Sequence, residues 1–331
     1  MSNRRSAFVL SAGVALLSCA VATASPALAD APNRIVAPAG ASLAAASTAA
    51  AWGYNANGQS SVPAALQGVS VAAVAAGPAH SLALTEDGRV FGWGSNSEGQ
   101  VTIPGELTGK HVVKIATAAY HSMALTDDGR VYAWGADWTG ATAIPAAVAS
   151  ARVTAIAASS THSVAVTEDG RVHTWGGAGP ELDPPAALEG EQVTAVATGS
   201  YHSLALTSDG RVIGWGNNAD QRATPPAELA GKKVVAISAG SYHSLALTSD
   251  GTVSAWGWGG YGQTAIPGSI SGQRVVAISA GGDHNLAITS DGRVHAWGDN
   301  AVGEGAVPAE LGSAFVTAIA AGGAHNVIAR R

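Results

Sequence analysis

Histidine and aspartate are the residues of this chain whose side chains could bind a metal or carry a proton, and both recur at a nearly fixed spacing. The recurring histidines are His80, His121, His162, His202, His243, His284 and His325. Aspartate recurs in Asp-Gly pairs at Asp87, Asp128, Asp169, Asp209, Asp250 and Asp291. A zinc site gathers three or four ligands around one ion, and an active site needs its general base once. Repetition along the chain therefore favours structural roles, with histidines buried against neighbouring backbone and aspartates in turns. We predict no catalytic residue, no metal and no cofactor.

Tryptophan-glycine pairs repeat with the same period as the histidines. They begin at Trp52, Trp93, Trp134, Trp175, Trp215, Trp256 and Trp297. The steps are 41 residues, with one of 40, and each histidine follows its tryptophan by 28 residues, or by 27 once. A fixed period of this length indicates a repeat architecture, in which each copy is one supersecondary unit.

The copy at 234–267 shows what the unit contains. Its apolar pattern predicts strands at 234–239, 243–248 and 253–256, with a weaker fourth strand near 264–266. Asp250-Gly251 predicts a two-residue type I′ hairpin turn, which needs positive φ at both central residues. A proline ends the fourth strand, as an edge position allows. Four short antiparallel strands per copy are typical of a propeller blade.

Seven copies predict an all-β fold over residues 49–331, a seven-bladed β-propeller of four-stranded antiparallel blades. The last copy stops after 325–329 without a third strand, whereas the first copy begins with a third strand at 49–52. We therefore expect the N-terminal and C-terminal strands to pair and to complete the seventh blade. Because a closed ring hides most strand edges, we expect a monomer.

Residues 1–29 have the pattern of a secretory signal peptide, with two arginines, an apolar run and the cleavage site Ala27-Leu28-Ala29. Sec and twin-arginine export both stay open. Residues 30–48, rich in alanine, proline and serine, are predicted to be a flexible leader. Cleavage after Ala29 removes the single cysteine and leaves 15 basic and 23 acidic residues, a net charge of −8, in an extracellular protein. That charge disfavours nucleic acid and anionic membranes as partners.

The pattern A-G-x-x-H-S-L-A-L-T-x-D-G-R-V-x-x-W-G-x-N resembles the regulator of chromosome condensation repeat, and it covers residues 49–331. The resemblance implies the seven-bladed fold of that family. With the predicted export, the elements AWG, N-x-x-G-Q and IPA or VPA are similar to a narrower group, the secreted actinobacterial β-lactamase inhibitor protein II group. This second resemblance implies a β-lactamase, or a penicillin-binding protein, as partner. Guanine-nucleotide exchange, the activity of the eukaryotic namesake, does not suit an exported acidic protein.

The turns after the first strands and the loops after the third strands must emerge on one face of the ring, because successive strands alternate in direction. These segments differ most between copies, and we predict that they bind another protein through aromatic and acidic side chains. The predicted contact residues are Tyr54, Tyr120, Trp138, Tyr201, Tyr242, Trp258, Tyr261 and Asp283. Two alternatives stay open here: a hydrolase or lyase with one active site on this face, and a carbohydrate-binding module.

The same loops contain acids, among them Glu181 and Glu304, and one basic residue, Arg222, all of which we expect to emerge on this face. The fourth Trp-Gly copy differs most from the others. Residues 176–185 replace its N-x-x-G-Q element, and its step to the next histidine is one residue shorter. The sequence leaves open whether this loop is degenerate or specialised.

Overall fold

The structure, a computed structural model, describes residues 47–331. The predicted signal peptide, residues 1–29, and the predicted leader up to residue 46 lie outside the described residues. Within the described range the chain forms seven antiparallel sheets of three short strands each, and each sheet is one blade. Over the same range, no helix combines the length and the apolar character of a membrane span.

The strands follow the repeat closely. The chain enters with β1 (Thr48–Gly53), and blades 1 to 3 contain β2 (Val71–Ala76), β3 (His80–Thr85), β4 (Val90–Gly94), β5 (Val112–Thr117), β6 (His121–Thr126), β7 (Val131–Gly135), β8 (Val153–Ala158), β9 (Ser163–Thr167) and β10 (Val172–Trp175). Blades 4 to 7 contain β11 (Val193–Thr198), β12 (His202–Thr207), β13 (Val212–Gly216), β14 (Val234–Ala239), β15 (His243–Thr248), β16 (Val253–Gly257), β17 (Val275–Ala280), β18 (His284–Thr289), β19 (Val294–Gly298), β20 (Val316–Ala321) and β21 (His325–Arg330). Short helical turns connect the blades at Ala64–Leu66, Gly105–Leu107, Ala146–Ala149 (α1), Ala186–Leu188, Ala227–Leu229 and Ala309–Leu311.

The ring closes through its two ends. The strand β1 pairs antiparallel with β21 over its whole length, from Thr48 opposite Arg330 to Gly53 opposite His325, and β20 lies on the other side of β21. The Ser47 and Thr317 hydroxyls form a further hydrogen bond of 3.0 Å. The seven-bladed, all-β fold and its closure are as predicted. The pairing begins at Thr48, one residue before the predicted domain boundary.

The predicted fourth strand is the one element of the blade that the structure does not form as a strand. The segment around 264–266 consists of turn and irregular backbone. It still lies along the third strand: in blade 1, an added Cβ at Gly92 would be 2.9 Å from Val101 Cβ. Its N–H groups bond within its own loop, as Ala265 does to Gly262, so few remain for pairing with the blade.

The Asp-Gly hairpins also differ from the predicted type I′ turn. Positive φ occurs at Gly251, where it is 90°, and not at Asp250. The Gly251 N–H bonds Thr248 O, which is a type I turn followed by a left-handed glycine. Asp250 Oδ1 accepts a 2.5 Å bond from the Thr248 hydroxyl, and this bond lowers the pKa of the carboxyl. The aspartate is thus a side-chain acceptor for the turn.

Apolar packing between neighbouring blades forms the core. Leu245 and Leu247 of β15 share a buried cluster with Ile278 of the next blade and with Trp297. On the other face of β15, Ala246 packs against the leucines of blade 4. We call the interface between two neighbouring blades a seam. Each seam places large side chains of one blade against small ones of the next, as close packing requires.

A ring of buried hydrogen bonds runs through the second strands and crosses all seven seams. Each histidine Nε2 bonds the serine or asparagine of the following blade: His80 to Ser122 at 3.0 Å, for example, and His325 back to Ser81 at 2.8 Å. Since Ser81 Oγ donates to Gln59 O, it accepts from the imidazole, and His325 therefore carries its proton on Nε2. The partners are side chains of the next blade, whereas the sequence analysis predicted backbone.

The repeated tryptophans of the Trp-Gly pairs, which we call the belt tryptophans, form hydrogen bonds to the same backbone carbonyls as these serines. Trp93 Nε1 donates to Gln59 O at 2.8 Å, the carbonyl that also accepts from Ser81. One carbonyl thus joins two blades through an indole and a hydroxyl; we call this arrangement the seam latch. Six tryptophans make this bond, namely Trp52, Trp93, Trp134, Trp175, Trp215 and Trp297.

We predict that removal of β1 destabilises the whole ring. A chain beginning at Tyr54 loses the pairing with β21 and the buried Trp52, and truncating a buried tryptophan alone costs about 3–5 kcal/mol. We expect its Tm in thermal unfolding to be at least about 10 °C below that of a chain beginning at Ser47. The chain beginning at Ser47 controls for loss of the leader. Equal Tm values for the two chains would show that the end pairing does not hold the ring.

We also predict a loss of stability as the pH falls from about 6.5 to 4. Burial lowers the pKa of His80, His121, His162 and His243 to about 4, from the ordinary histidine value of 6.5. Between these values the unfolded chain binds more protons than the folded one, so stability rises with pH across this window. Each such histidine contributes a slope of up to about 1.4 kcal/mol per pH unit.

Denaturant unfolding at pH 7.5, 6.5, 5.5 and 4.5 measures this slope. The variant His111→Gln, which changes an exposed histidine outside the ring, is the matched comparison. A free energy of unfolding that is flat across the four pH values would contradict the neutral, buried ring.

Candidate functional site

In each blade, the turn between the first and second strands is the inner turn, and the loop after the third strand is the outer loop. The inner turns and the outer loops emerge together on one face of the ring, which we call the loop face. Within a blade, the first residue of the outer loop donates its N–H to the last residue of the inner turn. Trp258 N bonds Tyr242 O at 3.0 Å, and Asp299 N bonds Asp283 O at 2.9 Å. The same bond places Tyr54 beside Ala324 at 2.8 Å. Variable residues, 16 positions apart in blades 5 and 6, are therefore held as neighbours.

Five of the outer loops are closed by an asparagine or aspartate of the loop itself. The asparagine that opens the N-x-x-G-Q element accepts an N–H five residues ahead, as Asn96 Oδ1 does from Val101 at 3.1 Å. The glutamine that ends it turns back, and Gln100 Oε1 accepts the Glu98 N–H at 2.9 Å. The Gln100 carbonyl is at the same time a seam-latch acceptor. The loops are therefore fixed at their ends, and their middle residues face outward.

The aromatic side chains predicted from the sequence form two groups on this face. In blade 2, Tyr120 and Trp138 have ring centroids 5.1 Å apart. In blade 5, Trp258 meets the ring of Tyr242 at 6.3 Å and that of Tyr261 at 5.2 Å, both edge-on. Such tilted and edge-to-face arrangements are the favoured ones for aromatic pairs.

Most of these rings are open to solvent. Trp138 is 68% exposed and Tyr261 54%, and Tyr54, Tyr120, Tyr201 and Tyr242 are exposed as well. Trp258 is half-buried between its two tyrosines. Tyr201 belongs to blade 4, next to the blade 5 group, and Tyr54 belongs to blade 7. The aromatic surface is therefore uneven around the ring.

Asp283 occupies the turn position that tyrosine holds in blades 2, 4 and 5. The residue is half-buried, and its Oδ1 is buried with no hydrogen-bond partner within the described residues. Burial, together with the charge of Asp299, raises the pKa of this carboxyl. Blade 6 thus contributes an acidic position beside the aromatic blade 5.

Three loop residues that the sequence analysis placed on the exposed face are buried. Glu181, Arg222 and Glu304 are 4%, 6% and 2% exposed. All three take the position of the buried glutamine in other blades, and the carbonyls of Glu181 and Glu304 are latch acceptors for Trp215 and Trp52. In the sequence, their alignment with the final glutamine of N-x-x-G-Q was the signal that could have indicated their burial.

The divergent loop of blade 3 is anchored differently from the others. Gly177 N bonds Thr139 O of the preceding loop at 2.7 Å, rather than the turn of its own blade. The carboxylate of Glu181 lies against Gly179, where an added Cβ would be 2.4 Å from Glu181 Oε2. The loop is ordered and short, and it carries no aromatic ring on the loop face.

The centre of the loop face is a small opening of about 100 Å³, lined by the seven inner turns. Glycine is required at its wall: a Cβ at Gly240 would lie 2.3 Å from His243 Cε1 and 2.4 Å from Gly281 O. Drug-sized ligands occupy pockets of about 300–1,000 Å³. The opening is too small for such a ligand, so the rim of loops is the candidate site.

Among the described residues, no group of three or more histidines, cysteines or acids is arranged to hold a metal ion. The Nε2 atoms of the ring histidines point at the next blade, where a serine or asparagine oxygen accepts the hydrogen bond. The repeated aspartates are bonded in their turns on the opposite face.

Comparison with known proteins agrees with this architecture. Human WBSCR16 superposes with a TM-score of 0.70 at 19% identity, covering 87% of this chain and 99% of that one. Prp20p from Saccharomyces cerevisiae gives 0.71 at 20% identity, covering 86% and 91%. Yeast RCC1 (Prp20) bound to Kap60 gives 0.72 at 18% identity, covering 97% and 96%. At these identities the likeness shows the fold.

No curated protein sequence matches the chain. A family model, the RCC1-like domain, matches residues 60–331, which is most of the chain. With seven blades closed by the end strands, the chain belongs to the RCC1-like domain family.

Proposed function

We propose that this protein is exported and uses the loop face to bind another protein, with a β-lactamase-type enzyme as the partner. The observation that carries the proposal is a set of large aromatic side chains exposed on loops with fixed ends. Tyrosine and tryptophan bring a large contact area at a small cost in rotamer entropy, and they are enriched among binding hot spots. A rigid frame lowers the ordering cost of association further.

The charge of the loop face indicates what kind of surface the partner presents. Asp137, Asp220 and Asp299 reach the surface there, and Asp283 is half-buried among them. The basic residue of these loops, Arg222, is buried and paired with Asp220 at 2.9 Å. A partner that brings basic and apolar side chains is therefore complementary, and its association rate should fall as salt is added.

Proteins of similar fold support the general part of the proposal. Yeast RCC1 (Prp20) is bound to Kap60 in one structure, and another concerns the binding of Prp20p to Gsp1p and histones. These partners belong to those proteins. They illustrate that a propeller of this shape can act as a protein-binding scaffold.

The choice of a β-lactamase rests on the resemblance to the secreted inhibitor group. The resemblance consists of the AWG and N-x-x-G-Q elements and the predicted signal peptide at residues 1–29. In that group, aromatic residues on this face cover the rim of the enzyme active site. The aromatic groups of blades 2 and 5 would take that role here.

Titration of the chain from residue 30 against a panel of class A β-lactamases tests the choice of partner directly. We expect inhibition of nitrocefin hydrolysis and a Kd below the micromolar range for at least one enzyme, weakening as salt is raised. A Kd of about 1 µM corresponds to a binding free energy of about 8 kcal/mol, and such binding would be detected at about 10 µM propeller. If no enzyme of the panel is bound or inhibited at that concentration, the β-lactamase assignment is wrong.

The general protein-binding role is tested by removing two exposed rings from different blades. The double variant Trp138→Ala/Tyr201→Ala should weaken binding at least about 100-fold, because hot-spot truncations cost about 2 kcal/mol or more each. Its Tm should change little, since Trp138 is 68% exposed and Tyr201 44%. The control Val235→Ala trims an apolar residue that is 45% exposed at the start of β14, away from the loop face.

Affinity capture from proteins secreted by the producing cell extends this test beyond β-lactamases. A partner should be retained by the wild type and by Val235→Ala, and lost with the double variant. Equal retention by all three proteins would show that the aromatic loop face is not the binding surface.

A further inference from the structure

One outer loop of the ring departs from the others in four separate respects. It spans residues 217–222, after β13 of blade 4, and it ends against blade 5. The departures are the backbone conformation at two positions, a buried cation and an unpaired indole.

The backbone departure lies at Asp220 and Gln221. Five other outer loops have glycine at the position of Gln221, with φ between 74° and 89°: Gly58, Gly99, Gly140, Gly262 and Gly303. Gln221 adopts the same left-handed conformation, with φ of 59°, and Asp220 precedes it with φ of 55°. They are the two non-glycine residues with positive φ in the described range 47–331. Side chains disfavour this region, so the loop is strained where its counterparts are relaxed.

The buried charge is Arg222, which replaces the glutamine that ends the outer loop in three other blades. Arg222 is 6% exposed. Its Nε donates to Ala219 O at 2.7 Å, and its Nη2 donates to Asp220 Oδ2 at 2.9 Å. The guanidinium carbon lies 5.0 Å from the centre of the Tyr242 ring, which is cation–π geometry.

The unpaired indole is that of Trp256. In the six other blades the belt tryptophan donates to the seam-latch carbonyl at 2.8–3.1 Å. The equivalent carbonyl at this seam is that of Arg222, and Ser244 Oγ still donates to it at 2.8 Å. Trp256 Nε1, however, is buried with no acceptor among the described residues. The latch is therefore incomplete at the seam between blades 4 and 5.

These departures meet at the larger of the two aromatic groups. Arg222 packs on Tyr242, whose ring contacts Trp258, and Trp258 in turn contacts Tyr261. A Cβ at Gly260 would lie 2.4 Å from Trp258 Cζ2, so glycine there leaves room for the indole. An ordered row therefore runs from the buried guanidinium to the exposed ring of Tyr261.

We infer that this seam is the anchor point for the partner, and that Arg222 is a positioning residue that holds Tyr242, Trp258 and Tyr261 in their binding arrangement at the expense of stability. The inference rests on the proposed protein-binding function and deepens it. At this seam the backbone conformation, the buried cation and the unpaired indole all depart from what most of the other six seams show. Such departures concentrated at one site are expected where the residues serve function rather than stability. The Tyr120 and Trp138 pair, with none of these departures, is then a second contact that needs no such positioning residue.

The double variant Gln221→Gly/Arg222→Gln tests the inference, because it restores the residues found in blades 1, 5 and 7. We expect its Tm to rise by about 3–6 °C, since the strain is relieved and Trp256 regains its acceptor. We expect the near-UV circular dichroism of the coupled rings to weaken while the far-UV spectrum is unchanged. Binding to a class A β-lactamase that the wild type binds should fall at least tenfold.

A control exchanges the same loop position at another seam. Glu304→Gln in blade 6 keeps the carbonyl and the acceptor for Val302 N, and it should alter neither the near-UV spectrum nor the Tm by more than about 1 °C. A Tm of the double variant that is equal to or below the wild-type value overturns the inference, because Arg222 would then be structural. An unchanged near-UV spectrum overturns it as well. If no β-lactamase is bound, the proposed partner fails, while Tm and the spectrum still decide the role of Arg222.

Discussion

The ring depends on the hydrogen bonds that one backbone carbonyl accepts at each seam. At five of the seven seams, the carbonyl of the last outer-loop residue accepts both an indole N–H and a hydroxyl or amide from the next blade, as Gln59 O does from Trp93 and Ser81. At the other two seams, Glu181 O accepts the indole N–H of Trp215, and Arg222 O accepts the hydroxyl of Ser244. The imidazole of the blade before bonds the same serine or asparagine. Buried polar groups are costly unless they are paired, so this network selects one register between neighbouring blades. Apolar packing supplies most of the stabilisation, and the carbonyls set the geometry.

The same carbonyls separate the frame from the loop face. Each belongs to the residue that ends an outer loop, so the contact that joins two blades also fixes the end of a loop. Between Gly94 and Gln100, for example, the side chains can change without disturbing the seam. This explains why aromatic residues, acids and small residues alternate from blade to blade over a constant frame. The repeated residues determine the fold, whereas the residues that differ between the copies indicate the binding surface.

The sequence predicts the ring well because its signals are periodic. The phases of Trp52 and His80 set the blades, and the half-copies at both ends predict the pairing of β1 with β21. The outer strand is not formed, because its N–H groups are used inside the loop. The Asp-Gly pairs suggested two positive φ values, but the threonine hydroxyl and one left-handed glycine suffice.

The candidate site was less accessible to sequence analysis. Exposed loop positions such as Trp138 could be chosen by their place in the repeat, because outer loops have a defined face. Arg222 could not, since charge suggests exposure whereas the position is buried. The pairing of Tyr242 with this arginine joins residues of two blades, and no local pattern encodes it.

The pairing of β1 with the last blade has a consequence for biosynthesis. Ser47 and Thr317, which meet across the closure, are separated by 270 residues. At about 5–20 residues per second, a ribosome needs roughly 14–54 s to synthesise that interval. During this time β1 is an alanine-rich strand without its neighbour, on a nascent chain that can stack blades but cannot complete the circle. Protection of that strand by a chaperone would therefore matter most before the final blade appears.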